Sequence, residues 1–107
     1  MNIDSKLGQL RKGLLEFIVL KIIAEHKVYA ADILVKLRKT EFATQEGTLY
    51  PLLSKLRREG LLDYQWVESE SGPPRKYYVL KEKGNQQLRV FSHYWKQLDN
   101  EIKQVAK

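Results

Sequence analysis

Residues 47–58 combine small, hydroxyl-bearing and basic side chains at the spacing of one helical face. At about 100° per residue, the leucines of this segment fall on one side and a small polar face lies opposite them. This face consists of Gly47, Pro51, Ser54 and Arg58, with Tyr50 and Lys55 beside it. Small residues let a helix lie deep between phosphate ridges, hydroxyls can meet base edges, and Lys55, Arg57 and Arg58 can neutralise phosphates. The pattern is compatible with contact with a nucleic-acid groove and equally with an ordinary solvated helix face.

Two further cations, Arg75 and Lys76, directly follow the segment Gly72-Pro73-Pro74. This position places them near a stiffened loop tip, where they can meet phosphate, and the alternative is an ordinary solvated hairpin. Four aromatic residues of the same region could stack on single-stranded bases, but such side chains more often anchor a hairpin on helices. They are Tyr64, Trp66, Tyr77 and Tyr78, and we expect them to belong to the core.

The overall charge also suits a polyanionic partner. The 107 residues include 19 Lys and Arg against 13 Asp and Glu, which gives a net charge of +6. These charges form no basic tail, so a positive surface must be assembled by folding.

Other kinds of chemistry lack the necessary residues. Without cysteine there is no disulfide framework, thiolate nucleophile or cysteine zinc site. His26 and His93 lie too far apart for a local ligand pair, and neither is accompanied by a readable catalytic motif. We therefore expect no enzymatic activity, no metal and no cofactor. Because no apolar run exceeds residues 17–20, we expect neither membrane insertion nor secretion, and hence a cytoplasmic protein.

The first two elements are predicted to be helices. In helix one, over residues 7–24, one apolar face consists of Leu15, Ile18, Val19, Ile22 and Ile23. A second apolar stripe lies on another side of this helix. Contact with one core buries only one face, so the second stripe must be covered by another part of the protein or by a partner. This stripe consists of Leu7, Leu10, Leu14 and Phe17. Helix two carries Ile33, Leu34 and Leu37 on one side and is predicted to end near Lys39 and Thr40.

Helix three contains the polar face described above. Thr44 is its predicted N-cap, and the regular helix is predicted to start near Gly47 or Thr48. Pro51 then falls in the first turn, where a missing N–H is tolerated. Gly60 supplies the left-handed residue favoured after a helix.

Residues 62–68 and 75–80 are rich in Tyr, Trp and Val, and turn-forming residues occupy 69–74, which predicts a β-hairpin. Three helices followed by a hairpin is the order of a winged helix-turn-helix, whose third helix enters the DNA major groove while the hairpin contacts the backbone. The predicted fold class is therefore α+β, mostly α with one hairpin. We expect a winged helix-turn-helix domain in residues 1–81 and a C-terminal helix in 82–107, joined in one compact unit.

The predicted fourth helix carries a heptad seam almost to the last residue. The seam consists of Leu88, Phe91, Trp95, Leu98, Ile102 and Val105. A monomer this small offers no partner for it, so we expect the helix to join two chains and to cover the surplus stripe of helix one in the other subunit. The alternative is that helix four folds back onto its own core.

Two dense motifs resemble the PadR family of bacterial transcriptional regulators. The first is GTLYPLLSKLRREGLL from Gly47 to Leu62, and the second is GPPRKYYVL from Gly72 to Leu80, with Gly84 beyond it. The resemblance covers nearly the whole chain and is similar to the short PadR subfamily. It implies a homodimeric winged-helix repressor that binds a palindromic operator in double-stranded DNA, often released by a small phenolic or hydrophobic ligand. The alternative is a winged-helix adaptor for protein partners, without specific DNA binding.

Two positions depart from the family pattern. Tyr29 is followed by Ala30, where a Tyr-Gly pair usually opens helix two, so the turn at this helix entry is in question. Lys81 stands where a threonine usually caps helix four, and it cannot accept an N–H bond or favour the positive helix end. Glu82 partly compensates. Neither departure touches the groove-facing positions.

With this fold, the two copies of helix three are expected to enter consecutive major grooves about 34 Å apart. The residues predicted to lie at or near base edges are Thr44, Gln45, Thr48, Tyr50 and Ser54. The residues predicted mostly to bind phosphate are Lys55, Arg58, Arg75 and Lys76.

Bulky planar side chains occupy the seam near the centre of the expected dimer. Heptad seams pack tightest with Leu, Ile and Val, whereas Phe91, Tyr94 and Trp95 from both chains can leave a slot for a flat aromatic effector. The resemblance adds that short PadR proteins include some that use a tryptophan of this helix in that way. The alternative is that Trp95 is plain interface core.

Overall fold

The structure, a computed structural model, describes residues 3–25 and 27–107. Along these residues four helices and one antiparallel hairpin follow in the predicted order, which confirms the α+β fold class. Their bounds are α1 (Ile3–Glu25), α2 (Ala30–Arg38), α3 (Glu46–Arg58), β1 (Leu62–Ser69), β2 (Gly72–Leu80) and α4 (Glu82–Val105). His26 lies outside the described residues.

The core forms where the C-terminal half of α1 meets α2, α3 and the base of the hairpin. Its fully buried side chains include Val19, Leu20, Ile33, Leu37, Leu49, Leu53, Leu56, Leu61 and Leu62. Full burial of one such leucine or isoleucine contributes about 1.5–3 kcal/mol relative to exposure. The N-terminal half of α1 is different, because Leu10 is 54% exposed and Leu7 is exposed as well.

The entry of α2 is regular although alanine replaces glycine. Tyr29 is the N-cap in an extended conformation, and its backbone N–H donates to the Asp32 carboxylate at 3.0 Å. Every described residue other than Gly60 avoids positive φ, so Ala30 imposes no strain on the turn. The helix begins there because the Asp32 carboxylate accepts the backbone N–H of the N-cap residue.

The predicted start of α3 is wrong in two respects. The N-cap is Gln45 rather than Thr44, because the carbonyl of Gln45 accepts the first helical bonds from Thr48 and Leu49 at 3.0 and 2.9 Å. The helix therefore starts at Glu46, and Pro51 lies in the second turn rather than the first. Proline has no N–H for the carbonyl four residues earlier, and that residue is the exposed Gly47.

The predicted end of α3 is confirmed. Gly60 has φ +78°, its N–H donates to the Arg57 carbonyl at 2.9 Å, and the N–H of Leu61 donates to Leu56 at 3.0 Å. These two bonds are the Schellman arrangement that closes a helix with a left-handed glycine.

The hairpin is longer and its turn shorter than predicted. Only Glu70 and Ser71 separate the strands, so Pro73 and Pro74 belong to β2. Arg75 pairs with Val67 and Lys76 with Trp66, and these cations therefore lie along the strand rather than near the loop tip. The tip instead carries Glu68 and Glu70.

The hairpin aromatics do not all enter the core. Tyr78 is buried, and its N–H donates to the Val28 carbonyl at 2.8 Å, which attaches the hairpin to the segment before α2. Tyr64 and Tyr77 are half-buried. Trp66 is 61% exposed, so the expectation that it belongs to the core is wrong.

The start of α4 packs on the core, whereas most of its length does not. Lys81 is the N-cap and makes no side-chain capping bond, as its chemistry predicts. Gly84 and Leu88 are buried, and Phe91 stacks on Phe17 of α1 with ring centroids 4.3 Å apart. Beyond this contact Trp95 is 48% exposed, and Ile102 and Val105 are exposed as well. No described helix is long and apolar enough to span a membrane.

A close backbone approach joins α4 to the end of α3. The carbonyl of Leu61 accepts the N–H of Lys81 at 3.0 Å. A Cβ on Gly84 would overlap this carbonyl oxygen and would lie 3.0 Å from the side chain of Leu80. Glycine is therefore required at this position by space rather than by backbone conformation.

Candidate nucleic-acid interface

The polar face predicted on α3 is exposed. Gly47, Pro51, Ser54 and Arg58 face solvent, while Leu49, Leu53 and Leu56 are buried on the other side. Tyr50 is 47% exposed and lies at the edge of this face. Among the other predicted base-reading residues, Thr48 and Gln45 are exposed and Thr44 is half-buried. The amphipathic pattern therefore orients α3 correctly, even though its N-cap is displaced by one residue.

Lys55, one of the predicted phosphate-binding residues, already has an anionic partner. Its ammonium group donates to the Glu16 carboxylate of α1 at 2.7 Å. This hydrogen bond, together with the negative charge of Glu16, raises the pKa of Lys55. Both side chains are partly exposed, so the pair is a surface ion pair rather than a buried one.

Arg57 is tied to the hairpin. Its guanidinium donates to the Asp63 carboxylate at 3.0 Å and lies 4.4 Å from the centre of the Tyr64 ring. The backbone N–H of Tyr64 and the side chain of Arg57 both bind this carboxylate and lower the pKa of Asp63. Arg57 therefore joins α3 to β1, and the neighbouring Arg58 faces solvent.

A cleft of about 450 Å³ lies between the C-terminal half of α3 and the hairpin. It brings together Ser54, Arg58 and Lys76 from the predicted set. Arg57, which the sequence showed could neutralise phosphate but which was not among the predicted contacts, also lines it, as does Lys81. The sequence marks Lys81 only as an unusual cap, because its position beside α3 depends on the path of the hairpin between them. The cleft concentrates positive charge, which suits a phosphate backbone.

A second groove, of about 300 Å³, lies between the N-terminal ends of α2 and α3 and the hairpin. Tyr50, Arg75 and Lys76 from the predicted set line it, together with Tyr29 and Trp66. The Arg75 guanidinium lies 3.6 Å from the centre of the Tyr29 ring. The Lys76 ammonium lies 4.5 Å from the centre of the Tyr64 ring. Aromatic faces attract cations without neutralising them, so both groups retain their full charge.

The remaining predicted contacts lie elsewhere. Thr48 and Lys55 line a depression of about 450 Å³ with Glu16 and other residues of α1. The described structure thus distributes the predicted set over both sides of α3. One side faces the hairpin, and the other faces α1.

The residues predicted to bind an effector differ in their exposure to solvent. Phe91 is half-buried against Phe17 and lines a small depression of about 90 Å³ between α1 and α4. Tyr94 and Trp95 are exposed on the next turn. Within one chain, no other segment covers the rings of Tyr94 and Trp95 completely, so both rings are accessible to solvent.

Among residues 3–25 and 27–107, no group of three or more His, Cys, Asp or Glu side chains could hold a metal ion. His93 is exposed on α4. The predicted interface consists of hydroxyl, amide, aromatic and basic groups, which bind polyanions through hydrogen bonds and charge.

Comparison with known proteins gives a consistent result. The family model described as "Transcriptional regulator PadR-like family" matches residues 19–90, about two thirds of the chain. Among solved structures, a PadR-like transcription factor from Bacteroides fragilis is 42% identical with a TM-score of 0.82, over 94% of this chain and 98% of that one. A search of curated proteins gave no match.

Two further solved structures are similar over nearly their full length. A PadR-like transcriptional regulator from Bacillus cereus is 35% identical with a TM-score of 0.81, over 92% of this chain and 97% of that one. A PadR family transcriptional regulator from Eggerthella lenta is 30% identical with a TM-score of 0.82, over 98% of this chain and 92% of that one. Regulators of this kind are DNA-binding proteins and not enzymes. The match of the family model, together with the identity to these structures, places this chain in the PadR-like family of transcriptional regulators.

Proposed function

We propose that this protein is a homodimeric repressor that binds a palindromic operator in duplex DNA. The observation that carries the proposal is the exposed α3 face, where Ser54 and Arg58 share a cleft with Lys76 of the hairpin. A winged helix uses these two elements for the major groove and the adjacent backbone. Two copies related by a two-fold axis present two α3 helices to consecutive grooves about 34 Å apart.

The proposed contacts divide into two chemical groups. Residues that reach base edges are Thr44, Gln45, Thr48, Tyr50 and Ser54. Residues that neutralise phosphates are Lys55, Arg58, Arg75 and Lys76. Base contacts determine sequence preference, whereas phosphate contacts position the protein and make its affinity depend on salt.

The proposed dimer contact uses the apolar surface that one chain leaves uncovered. Along α4 this surface continues past Leu88 and Phe91 through Trp95, Leu98, Ile102 and Val105. On α1 it includes Leu7, Leu10, Leu14 and the edge of Phe17. Phe17 and Phe91 stack within one chain, so α4 starts on its own core and continues beyond it. Burial of this remaining surface favours association.

The proposed effector is a small, flat, hydrophobic or phenolic molecule held near Phe91, Tyr94 and Trp95 at the dimer centre, in the bacterial cytoplasm. Such a guest separates the two α4 helices and thereby changes the distance between the two α3 helices. The coupling free energy is reciprocal, so operator DNA weakens effector binding by the same factor.

DNA binding is tested with duplexes from the region upstream of the protein's own gene, screened for an inverted repeat. Fluorescence anisotropy gives the affinity for this duplex and for a scrambled one. Tyr50→Ala and Lys76→Ala should both weaken binding, and Lys76→Ala should reduce the salt slope by about one unit. Lys103→Ala, on the far end of α4, removes the same charge and serves as the control.

Three outcomes decide whether the protein binds operator DNA with the assigned contacts. A preference for the inverted repeat that both variants reduce supports the proposal. Unchanged affinity in both variants would show that the assigned geometry is wrong. Equal affinity for operator and scrambled duplex would favour a winged-helix adaptor for protein partners instead.

A further inference from the structure

The Tyr29 side chain lies against two side chains of β2. The Arg75 guanidinium is 3.6 Å from the centre of its ring, and the Tyr77 ring centroid is 4.2 Å away at an interplanar angle of 39°. In the sequence, Tyr29 stands out only because it precedes the entry of α2. Its ring also lies beside Arg75, a predicted phosphate-binding residue.

Hydrogen bonds on both sides fix the main chain that carries this ring. The Tyr29 N–H donates to Asp32 in the first turn of α2, and the carbonyl of the preceding Val28 accepts the N–H of Tyr78 at 2.8 Å. The α2 entry and β2 are thereby joined at the position where the ring contacts Arg75. The path of the main chain therefore brings the two side chains within reach of each other, and their rotamers complete the contact.

The environment of Arg75 on β2 differs from that of Lys55 and Arg57 on α3. Lys55 and Arg57 each donate to a carboxylate, which offsets their charge. Among the described ion pairs, Arg75 has no carboxylate partner and instead lies over the aromatic face of Tyr29. A guanidinium that rests on a ring keeps its positive charge, and the N–H donors on its edge remain free for an anion.

A restrained arginine also loses less conformational entropy when it binds phosphate. A free arginine side chain samples many rotamers, and binding must select one of them. The Tyr29 ring already confines the guanidinium on the rim of the groove that Tyr50 and Lys76 also line. Preorganisation of this kind increases affinity without adding a contact to the ligand.

We propose that Tyr29 is a positioning residue for duplex DNA, which holds the Arg75 guanidinium ready for one backbone phosphate beside the hairpin. The inference rests on the proposed function and goes beyond it, because Tyr29 itself needs no contact with DNA. The flat ring performs the role, so the hydroxyl is dispensable.

The test is a double-mutant cycle on operator affinity in the full-length protein, with Tyr29→Leu, Arg75→Ala and the combination of both. Tyr29→Leu should weaken operator binding about two- to fivefold, the size expected from losing one exposed cation and ring contact. In the Arg75→Ala background the same change should have no further effect. Tyr29→Phe retains the ring and should bind as the wild type does.

Arg75→Lys tests the proposal with Tyr29 intact, should Tyr29→Leu fail to fold. Lysine keeps the charge but lacks the flat guanidinium, so affinity should fall while the salt slope is retained, whereas Arg75→Ala should lower the slope by about 0.9. Melting temperatures of all variants, measured without DNA, separate loss of binding from loss of fold.

Four results would overturn the inference, and they are distinguishable. Wild-type affinity in folded Tyr29→Leu, or in Arg75→Lys, would show that the ring positions nothing. An equal loss from Tyr29→Leu in the Arg75→Ala background would assign Tyr29 a merely structural role. Operator affinity that is unchanged in Arg75→Ala would show that Arg75 makes no contact with a phosphate. Absence of operator binding by the wild type would overturn the proposed function as a whole.

Discussion

The ammonium group of Lys55 on α3 lies 2.7 Å from the carboxylate of Glu16 on α1. The next residue on α1, Phe17, stacks on Phe91 of α4. Adjacent residues of one helix therefore contact the proposed DNA-binding helix and the proposed dimerisation helix. Because Lys55 is paired with Glu16 of α1, its ability to bind a DNA phosphate depends on this carboxylate.

Glu16→Gln should increase operator affinity. The substitution removes the negative charge that now engages Lys55, which can then neutralise a phosphate. The dependence of log affinity on log salt should become steeper by about 0.9. Anisotropy titrations at several salt concentrations measure both quantities.

Glu25→Gln is the matched control, because Glu25 lies on the same helix and pairs with Lys21 rather than with α3. It causes the same change in net charge. If the two variants behave alike, or if Glu16→Gln still tightens binding in a Lys55→Ala background, the Glu16 carboxylate does not govern Lys55.

Gly84→Ala should destabilise the protein by about 1–3 kcal/mol, the usual cost of forcing extra volume into a packed site. The new methyl group would overlap the carbonyl oxygen of Leu61, so α4 must shift away from the end of α3. Urea denaturation at a fixed protein concentration measures the change. Gly47→Ala is the control, because nothing lies within 4 Å of a Cβ there, and it should stabilise the helix by about 0.5–1 kcal/mol. Equal midpoints for wild type and Gly84→Ala would contradict the close packing.

The paired substitution Leu98→Glu with Ile102→Glu should convert the proposed dimer into monomer or unfolded chain. Two carboxylates on the apolar seam would have to be buried without partners in the dimer. Sedimentation velocity reports the molecular mass. His93→Glu with Asn100→Glu adds the same two carboxylates to the opposite side of α4 and should leave the dimer intact. A stable dimer in the first pair would refute the proposed seam.

Planar hydrophobic compounds should quench the fluorescence of Trp95. The chain has two tryptophans, so Trp66→Phe leaves Trp95 as the only reporter. Quenching should occur in this variant and be absent in Trp95→Ala, and a bound compound should weaken operator binding. Quenching that survives in Trp95→Ala, or a bound compound that leaves operator affinity unchanged, would show that Trp95 does not sense an effector.

The contact between Asp63 and Arg57 predicts a dependence of stability on pH. Hydrogen bonds from the Tyr64 backbone and from Arg57 lower the pKa of Asp63 below its ordinary value of 3.8. Its contribution is therefore present above that value and is lost as the pH falls through the lower pKa of the folded state. At about pH 6 the melting temperature of the wild type should be higher than that of Asp63→Asn. The difference between the two melting temperatures should decrease steadily as the pH is lowered. Asp99→Asn, on the exposed side of α4, controls for net charge. A difference that is independent of pH would exclude this carboxylate as its source.

Sequence patterns predicted the elements well, because apolar periodicity and left-handed glycines are local signals. The stripes of leucine and isoleucine located the four helices, and Gly60 marked the end of α3. The N-cap of α3 was misplaced because Thr44 has the better capping chemistry, whereas the path of the chain puts Gln45 at the helix entry.

Contacts between distant segments could not be predicted in this way. Glu16 and Lys55 are 39 residues apart, and their meeting depends on how α1 crosses α3. The same is true of Lys81 beside the α3 cleft and of Tyr29 beneath Arg75. Residue type identified which groups can bind phosphate, but only the fold shows which of them are already engaged.

Pro74 lies on β2, whose outer edge could otherwise pair with a strand of another molecule. The N–H of Tyr78 points outward from β2, since it donates to Val28 rather than to β1. Towards its tip β2 carries Pro73 and Pro74 in succession, where its pairing with β1 shifts register between Val67 and Ser69, and neither proline has an N–H to donate. A strand from a neighbouring molecule therefore finds no donor on this part of the edge, which protects the hairpin against intermolecular β-aggregation.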